Sequence, residues 1–159
     1  MNPYAKFLGN LNPLEVIAAT PARLSAYVQQ IGPAGLDRSP APGKWTTRSI
    51  LCHLADVELV FAFRLRQALA EAHHVIQPFD QDVWAKPYSK LEPQAALAVF
   101  STTRQWNLSL LETVDAETHG KLLTHPERGT MTFRNLIETM AGHDLNHLTQ
   151  IAAIAALPS

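Results

Sequence analysis

The 159-residue chain has little cysteine, and no excess of either charge. A single cysteine, Cys52, cannot close an internal disulfide, which points to a reducing compartment. Thirteen Lys and Arg against 14 Asp and Glu leave a formal net charge of -1, so nucleic-acid binding through bulk positive charge is excluded. Charged residues make up only 17% of the chain and hydrophobic ones 47%, which excludes a disordered polyelectrolyte. No run of about 20 apolar residues is available to cross a bilayer. The opening Met1-Asn2-Pro3-Tyr4-Ala5-Lys6 lacks a basic segment followed by an apolar run, so no secretory signal is expected and a cytoplasmic location is. Asn-Gly and Asp-Gly hairpin turns are missing, and no alternating strand pattern stands out. What the chain does have is histidine: seven of them. The length fits one domain over residues 1–159.

The apolar spacing predicts helices. Asn12 caps a short one over 13–20 with Pro13 in its first turn, and Thr20-Pro21 starts another that runs to Ile31 and stops at Gly32-Pro33. Thr46 or Thr47 opens a long helix to about Glu71, its stripe formed by Ile50, Leu54, Val57, Phe61, Leu65 and Leu69. From His73 to Glu92 the periodicity fails, and Pro78, Pro87 and Pro93 mark a crossover loop of about 20 residues. Pro93 begins a helix to about Val114, with Leu97, Phe100, Leu111 and Val114 inward. The last helix starts near Thr130 or Thr132 and carries Phe133, Leu136, Ile137, Met140, Ile151 and Ile154. An all-α four-helix bundle is the simplest way to bury these stripes, and such bundles build metal sites from side chains on facing helices.

The last helix carries the strongest chemical signal. His143 and His147 are four residues apart, so they stand one turn above each other and can offer two imidazoles to one metal ion. They also fall on the core-facing stripe of Leu136, Met140, Gln150 and Ile154. The pair alone is a weak pattern and reads first as imidazoles that hydrogen-bond to water or backbone; a third ligand is what would change that. His53 lies on the inward stripe of another helix, three residues after Ile50 and four before Val57, and supplies a third candidate ligand. Three histidines with one open position suit zinc, nickel or another first-row divalent ion. Asp56, Glu58, Asp144 and Gln150 are candidates to orient the rings.

The remaining candidates have plainer readings. Cys52 diverges from its neighbour His53 by about 100 degrees around the helix and reads as a core filler. His73 and His74 read as a helix end, solvated or compensating the helix dipole, His119 as exposed, and His125 as a loop residue. Trp45, Trp84 and Trp106 read as core anchors, with Trp84 able to border a pocket. Arg104 and Asn107 interrupt an apolar stripe: they line a polar cavity facing the metal or rotate outward. His143-Asp144-x-x-His147 differs from the metalloprotease His-Glu-x-x-His helix in its shorter acid, and a protease is not expected.

Taken in order, Gly43-Lys44-Trp45-Thr46, His53-Leu54-Ala55-Asp56-Val57-Glu58, His125-Pro126-Glu127-Arg128-Gly129 and His143-Asp144-Leu145-Asn146-His147-Leu148-Thr149-Gln150-Ile151 resemble the DinB/YfiT superfamily, from about Thr20 to Ile151. The resemblance implies an up-down-down-up four-helix bundle with a long crossover, frequently a homodimer. It also implies a divalent metal held by His53, His143 and His147. It implies an enzyme acting on a small molecule: a transferase that uses a low-molecular-weight thiol, or a metal-dependent hydrolase. A bundle that binds metal or a small ligand without turnover is the remaining alternative. Nucleic acid and membrane are not expected as partners.

Overall fold

The computed structural model describes residues 2–158; Met1 and Ser159, the ends of the expected 1–159 domain, lie outside the described residues. In chain order the elements are α1 (Ala5–Leu8), α2 (Pro13–Gly35), α3 (Thr47–Ala70), β1 (His74–Val75), α4 (Gln81–Ala85), α5 (Pro93–Leu111), β2 (Leu122–His125), β3 (Gly129–Thr132) and α6 (Phe133–Ala155). Short 3-10 turns occupy Tyr88–Lys90 and Thr118–Gly120. The four long helices form the expected up-down-down-up bundle. Each of α2 and α3 packs against both α5 and α6, and because α3 and α5 run in the same direction in this topology, the segment between them has to cross over the length of the bundle.

Side-chain caps set where the long helices begin. The Asn12 side chain accepts the Leu14 N–H at 3.0 Å, and Thr46 Oγ1 accepts the Ser49 N–H at 3.2 Å. In α6 the cap is reciprocal: Thr132 Oγ1 accepts the Asn135 N–H, and Asn135 Oδ1 accepts the Thr132 N–H.

Two expectations change. The helices expected over 13–20 and 21–31 are one, running through Pro21 to a break at Gly32, whose φ of 65° lies in the left-handed region. Pro21 has no N–H for the carbonyl of Ile17, and that carbonyl instead accepts Arg104 Nη1 at 2.8 Å. The proline therefore leaves no orphan acceptor. The second change lies in the expected loops, which hold the short helix α4, capped by Asp80, a 3-10 turn and a small three-stranded sheet, β1-β2-β3. β1 pairs parallel with β2, His74 opposite Leu123, and β2 pairs antiparallel with β3, His125 opposite Gly129. The turn at Pro126–Arg128 ends on Gly129 at φ 77°, a three-residue hairpin closed by a left-handed glycine rather than by Asn-Gly.

The core has two apolar clusters. One gathers Ile17, Phe61, Leu65, Phe133, Leu136 and Met140; the other gathers Leu24, Ile50, Leu54, Phe100, Leu148 and Ile151. Between them, on all four long helices, lies a layer of buried polar groups: Thr20, His53, Glu58, Arg104, Asn107, His143, Asp144 and His147.

Candidate metal centre

Within that layer α3 contributes His53 and α6 contributes His143 and His147, all three buried. His143 Nε2 stands 3.0 Å from His53 Nε2 and 3.2 Å from His147 Nε2. Among the described residues this is the one cluster of His, Cys, Asp or Glu whose ligand atoms converge closely enough to share an ion. Two nitrogens bound to one ion at 2.0–2.1 Å with tetrahedral angles stand roughly 3.3 Å apart, and the observed spacing is close to that.

Protonation states favour the same use. Burial holds the His53 imidazole down to about 3, with repulsion from His147 adding to it. Burial likewise lowers His147 to about 4 and His143 well below the usual 6.5. At neutral pH all three rings are uncharged, the form that ligates a metal. The His147 Nδ1–H donates to Gln150 Oε1 at 3.1 Å, which fixes its tautomer and leaves Nε2 a bare lone pair. A single proton on His143 Nε2 can bridge only one of its two short nitrogen contacts, whereas an ion accepts all three lone pairs. The donor set fits a divalent metal.

The layer continues behind the triad. Arg104 forms forked pairs with two carboxylates: Nε and Nη2 donate to Glu58 at 3.0 and 2.7 Å, and Nη1 and Nη2 donate to Asp144 at 2.6 and 3.1 Å. Asn107 Nδ2 donates to Glu58 Oε1 at 2.8 Å, and Asn107 Oδ1 accepts from Arg66 at 2.8 Å. Burial opposes the Arg104 charge, but Asp144 and Glu58 more than offset it and hold the guanidinium protonated. Arg104 and Asn107 therefore do not rotate outward, and neither lines the recesses that border the triad. Of the four candidate orienting residues, Gln150 touches a histidine of the triad. Glu58 and Asp144 serve Arg104, and Asp56 accepts the Tyr88 hydroxyl at 2.7 Å.

Two recesses meet at the triad. The larger, about 670 Å³, is lined by His147, Trp45, Lys44, Asn146 and Gln150; the smaller, about 340 Å³, by His53, His143, Phe61, Arg64, His125 and Arg128. Tyr4 and Gln81 line both. Trp45 lies nearly parallel to the His147 ring, centroids 6.2 Å apart, and edge-on to His53 at 4.8 Å. It is half-buried: it packs against the second apolar cluster, as a core anchor would, and also walls the site. The Tyr4 ring meets His143 edge-on at 5.2 Å. Gly142 permits this, because a Cβ there would come within 2.7 Å of the Tyr4 carbonyl oxygen. Spacing along the chain could not reveal Tyr4 or Gln81, since both come from segments far from the histidine helices.

The other expected positions divide. Cys52 is a buried core residue, as expected. Trp106 is 67% exposed and anchors nothing; Trp84 is 41% exposed and stacks beside Phe79 at 4.7 Å on the rim of a shallow recess. His125 is a buried strand residue rather than a loop one, and His74 is buried in β1 with Nδ1 2.9 Å from Glu71. His73 is exposed, and His119 is half-buried beside Phe133.

Comparison with known proteins agrees with this architecture. The model of the DinB superfamily matches residues 17–151. A protein of Oceanobacillus iheyensis, named provisionally as a metal-dependent hydrolase, is 30% identical over 135 residues, covering 84% of this chain and 78% of its own. A Bacillus cereus protein with the same provisional name is 26% identical over 142 residues, 89% of this chain and 82% of its own. The structure of YfiT from Bacillus subtilis, described as a probable metal-dependent hydrolase with an unusual four-helix bundle topology, superposes with a TM-score of 0.83 at 25% identity, covering 89% of this chain and 83% of that one. The bundle, its crossover and the matched span together place the chain in the DinB superfamily.

Proposed function

We propose that His53, His143 and His147 hold one divalent first-row ion, zinc or nickel, and that the chain uses it to transfer a low-molecular-weight thiol to a small electrophilic substrate. The observation that carries this reading is the pair of recesses meeting at the triad, one on the His147 side and one on the His53 and His143 side. A two-substrate transfer needs two such spaces. Held by His53, His143 and His147, such an ion would supply a lowered pKa for a thiol or water at the site, and so a nucleophile near neutral pH. Trp45 excludes water from one flank of the triad, and Gln150 holds the His147 ring in place. Tyr4 and Gln81 stand where the contents of the two recesses meet. Burial raises the Tyr4 hydroxyl above its usual range, so it stays protonated and can donate to an oxygen that gains charge during the reaction.

A second reading, hydrolysis with water in place of the thiol, is supported by the names of the relatives. Metal analysis of untagged protein is the first test: the wild type carries about one ion per chain and His147→Ala loses most of it. Unchanged metal content in the variant would overturn the triad. Incubating metal-loaded protein with an electrophile and several cellular thiols then separates the readings. Transfer consumes thiol in proportion to electrophile, hydrolysis proceeds without thiol, and no turnover leaves a binding module.

The same reading includes a cytoplasmic homodimer. Leu59, Phe63 and Trp84 are 50%, 57% and 41% exposed and line one shallow recess, an apolar face suited to a second copy. No helix among the described residues is long and apolar enough to cross a membrane.

A further inference from the structure

The smaller recess holds more than two metal-ligand candidates. His53, Val57, Phe61 and Arg64 follow one another along the same face of α3, and all four line it. Eleven residues separate His53 from Arg64, about 16 Å along the axis, and helical side chains lean toward the N-terminus, so Arg64 leans back toward the histidine end. Its Nη2 donates to the Gln77 carbonyl at 3.0 Å, and its guanidinium stands over the Phe79 ring at 5.8 Å. Its Nε is buried and has no hydrogen-bond partner. A buried guanidinium donor without an acceptor is costly, and it marks where an acceptor belongs.

Two more donors reach the same space from the β2–β3 hairpin. His125 Nδ1 accepts the Glu127 N–H at 3.2 Å, which places the ring's proton on Nε2. Burial, followed by the charges of Arg128 and Arg64, lowers the His125 imidazole, so it is a neutral donor. Arg128 lies on the exposed turn and lines the recess with them. Arg64 is pushed down to about 10, by burial first and then by Arg128, the expected result of two like charges facing one small space. Glu127 also lines the recess, and its single carboxylate leaves two guanidiniums in excess by one charge.

We propose that Arg64, Arg128 and His125 form an oxyanion-binding subsite in the recess beside His53 and His143, and that the electrophilic substrate of this centre is a small molecule carrying a carboxylate or phosphate group. The assignment of a substrate class rests on the reading of the triad as a metal-dependent centre; the anion subsite itself does not. Planar guanidiniums take carboxylate and phosphate oxygens through paired N–H donors, and the His125 Nε2–H adds a third direction. With its anionic end held there, the substrate lies along Phe61 and Val57, and its other end reaches the histidines.

The test uses two probes, inorganic phosphate and benzoate, titrated into metal-free and zinc-loaded full-length protein at constant ionic strength, with backbone amide shifts as the readout. Saturable shifts are expected at Glu127–Gly129 and Phe79 in both forms. Arg128→Met weakens binding by about tenfold or more, and Arg128→Lys by less, because the lysine keeps the charge and loses the fork. Arg64→Met gives the same loss where circular dichroism shows the variant folded, and the exposed Arg128 decides the matter otherwise. The tighter-bound probe identifies the head group. Shifts that do not saturate, that are unchanged in Arg128→Met, or that occur only with zinc and ignore the arginines overturn the subsite and leave the metal centre standing. Arginine-dependent binding in a protein that takes up no zinc has the opposite meaning: it keeps the subsite and overturns the metal reading.

Discussion

His53, His143 and His147 are neutral because they are buried, and this makes the metal-free protein sensitive to acid. The folded rings titrate far below 6.5, His53 at about 3 and His147 at about 4, whereas the unfolded chain takes up protons near the ordinary value. Between about pH 6.5 and pH 4 the unfolded state binds more protons, so stability falls as pH falls. Denaturant melts of metal-free protein should show the midpoint dropping from about pH 7 to about pH 5, with a shallower drop in His53→Leu. Gly142 offers a second residue-level prediction. A Cβ would meet the Tyr4 carbonyl oxygen and the Tyr4 Cβ at 2.7 Å, so Gly142→Ala should cost about 1–3 kcal/mol in a thermal melt and shift the Tyr4 and His143 ring resonances. At this scale the histidines were legible, because spacings of three and four put them on apolar stripes. The role of Trp45 was not: it precedes its helix, and only the fold lays it against His53 and His147.

Arg104 shows how an element is held by a residue of another. One guanidinium joins Glu58 of α3, Asp144 of α6 and the Ile17 carbonyl of α2. Arg104→Met leaves two buried carboxylates without their counter-charge and should destabilise the protein by about 3–5 kcal/mol, measured by denaturant unfolding. Pro21→Ala should behave unusually. A proline inside a helix ordinarily costs about 3 kcal/mol, yet here the freed carbonyl already has a donor. The restored N–H would compete with Arg104 for the Ile17 carbonyl, so the melting midpoint should rise by much less than that full amount implies. Reading Thr20-Pro21 as a helix start failed for this reason: the compensating donor is 83 residues away, beyond any local pattern. The strands were hidden differently. β1 has two residues and β2 and β3 four each, too few for an alternation to stand out.

For the molecule as a whole, the stripes made a helical bundle legible, and the proline-rich stretch after α3 made the crossover so. The apolar face of Leu59, Phe63 and Trp84 has its consequence at this scale too. Light scattering should give a dimer for the wild type and a monomer for Leu59→Lys/Phe63→Lys, while a monomeric wild type would refute the proposed assembly. The polar layer between the two apolar clusters bears on how the molecule is made. The Arg104 network ties together four helices, whereas the histidine triad spans only α3 and α6, and both apolar clusters close without it. Small zinc domains must capture their ion to fold at all. Here the chain can leave the ribosome and complete its bundle first, so acquiring the metal becomes a separate and later event, open to whichever divalent ion the cell supplies to a finished protein.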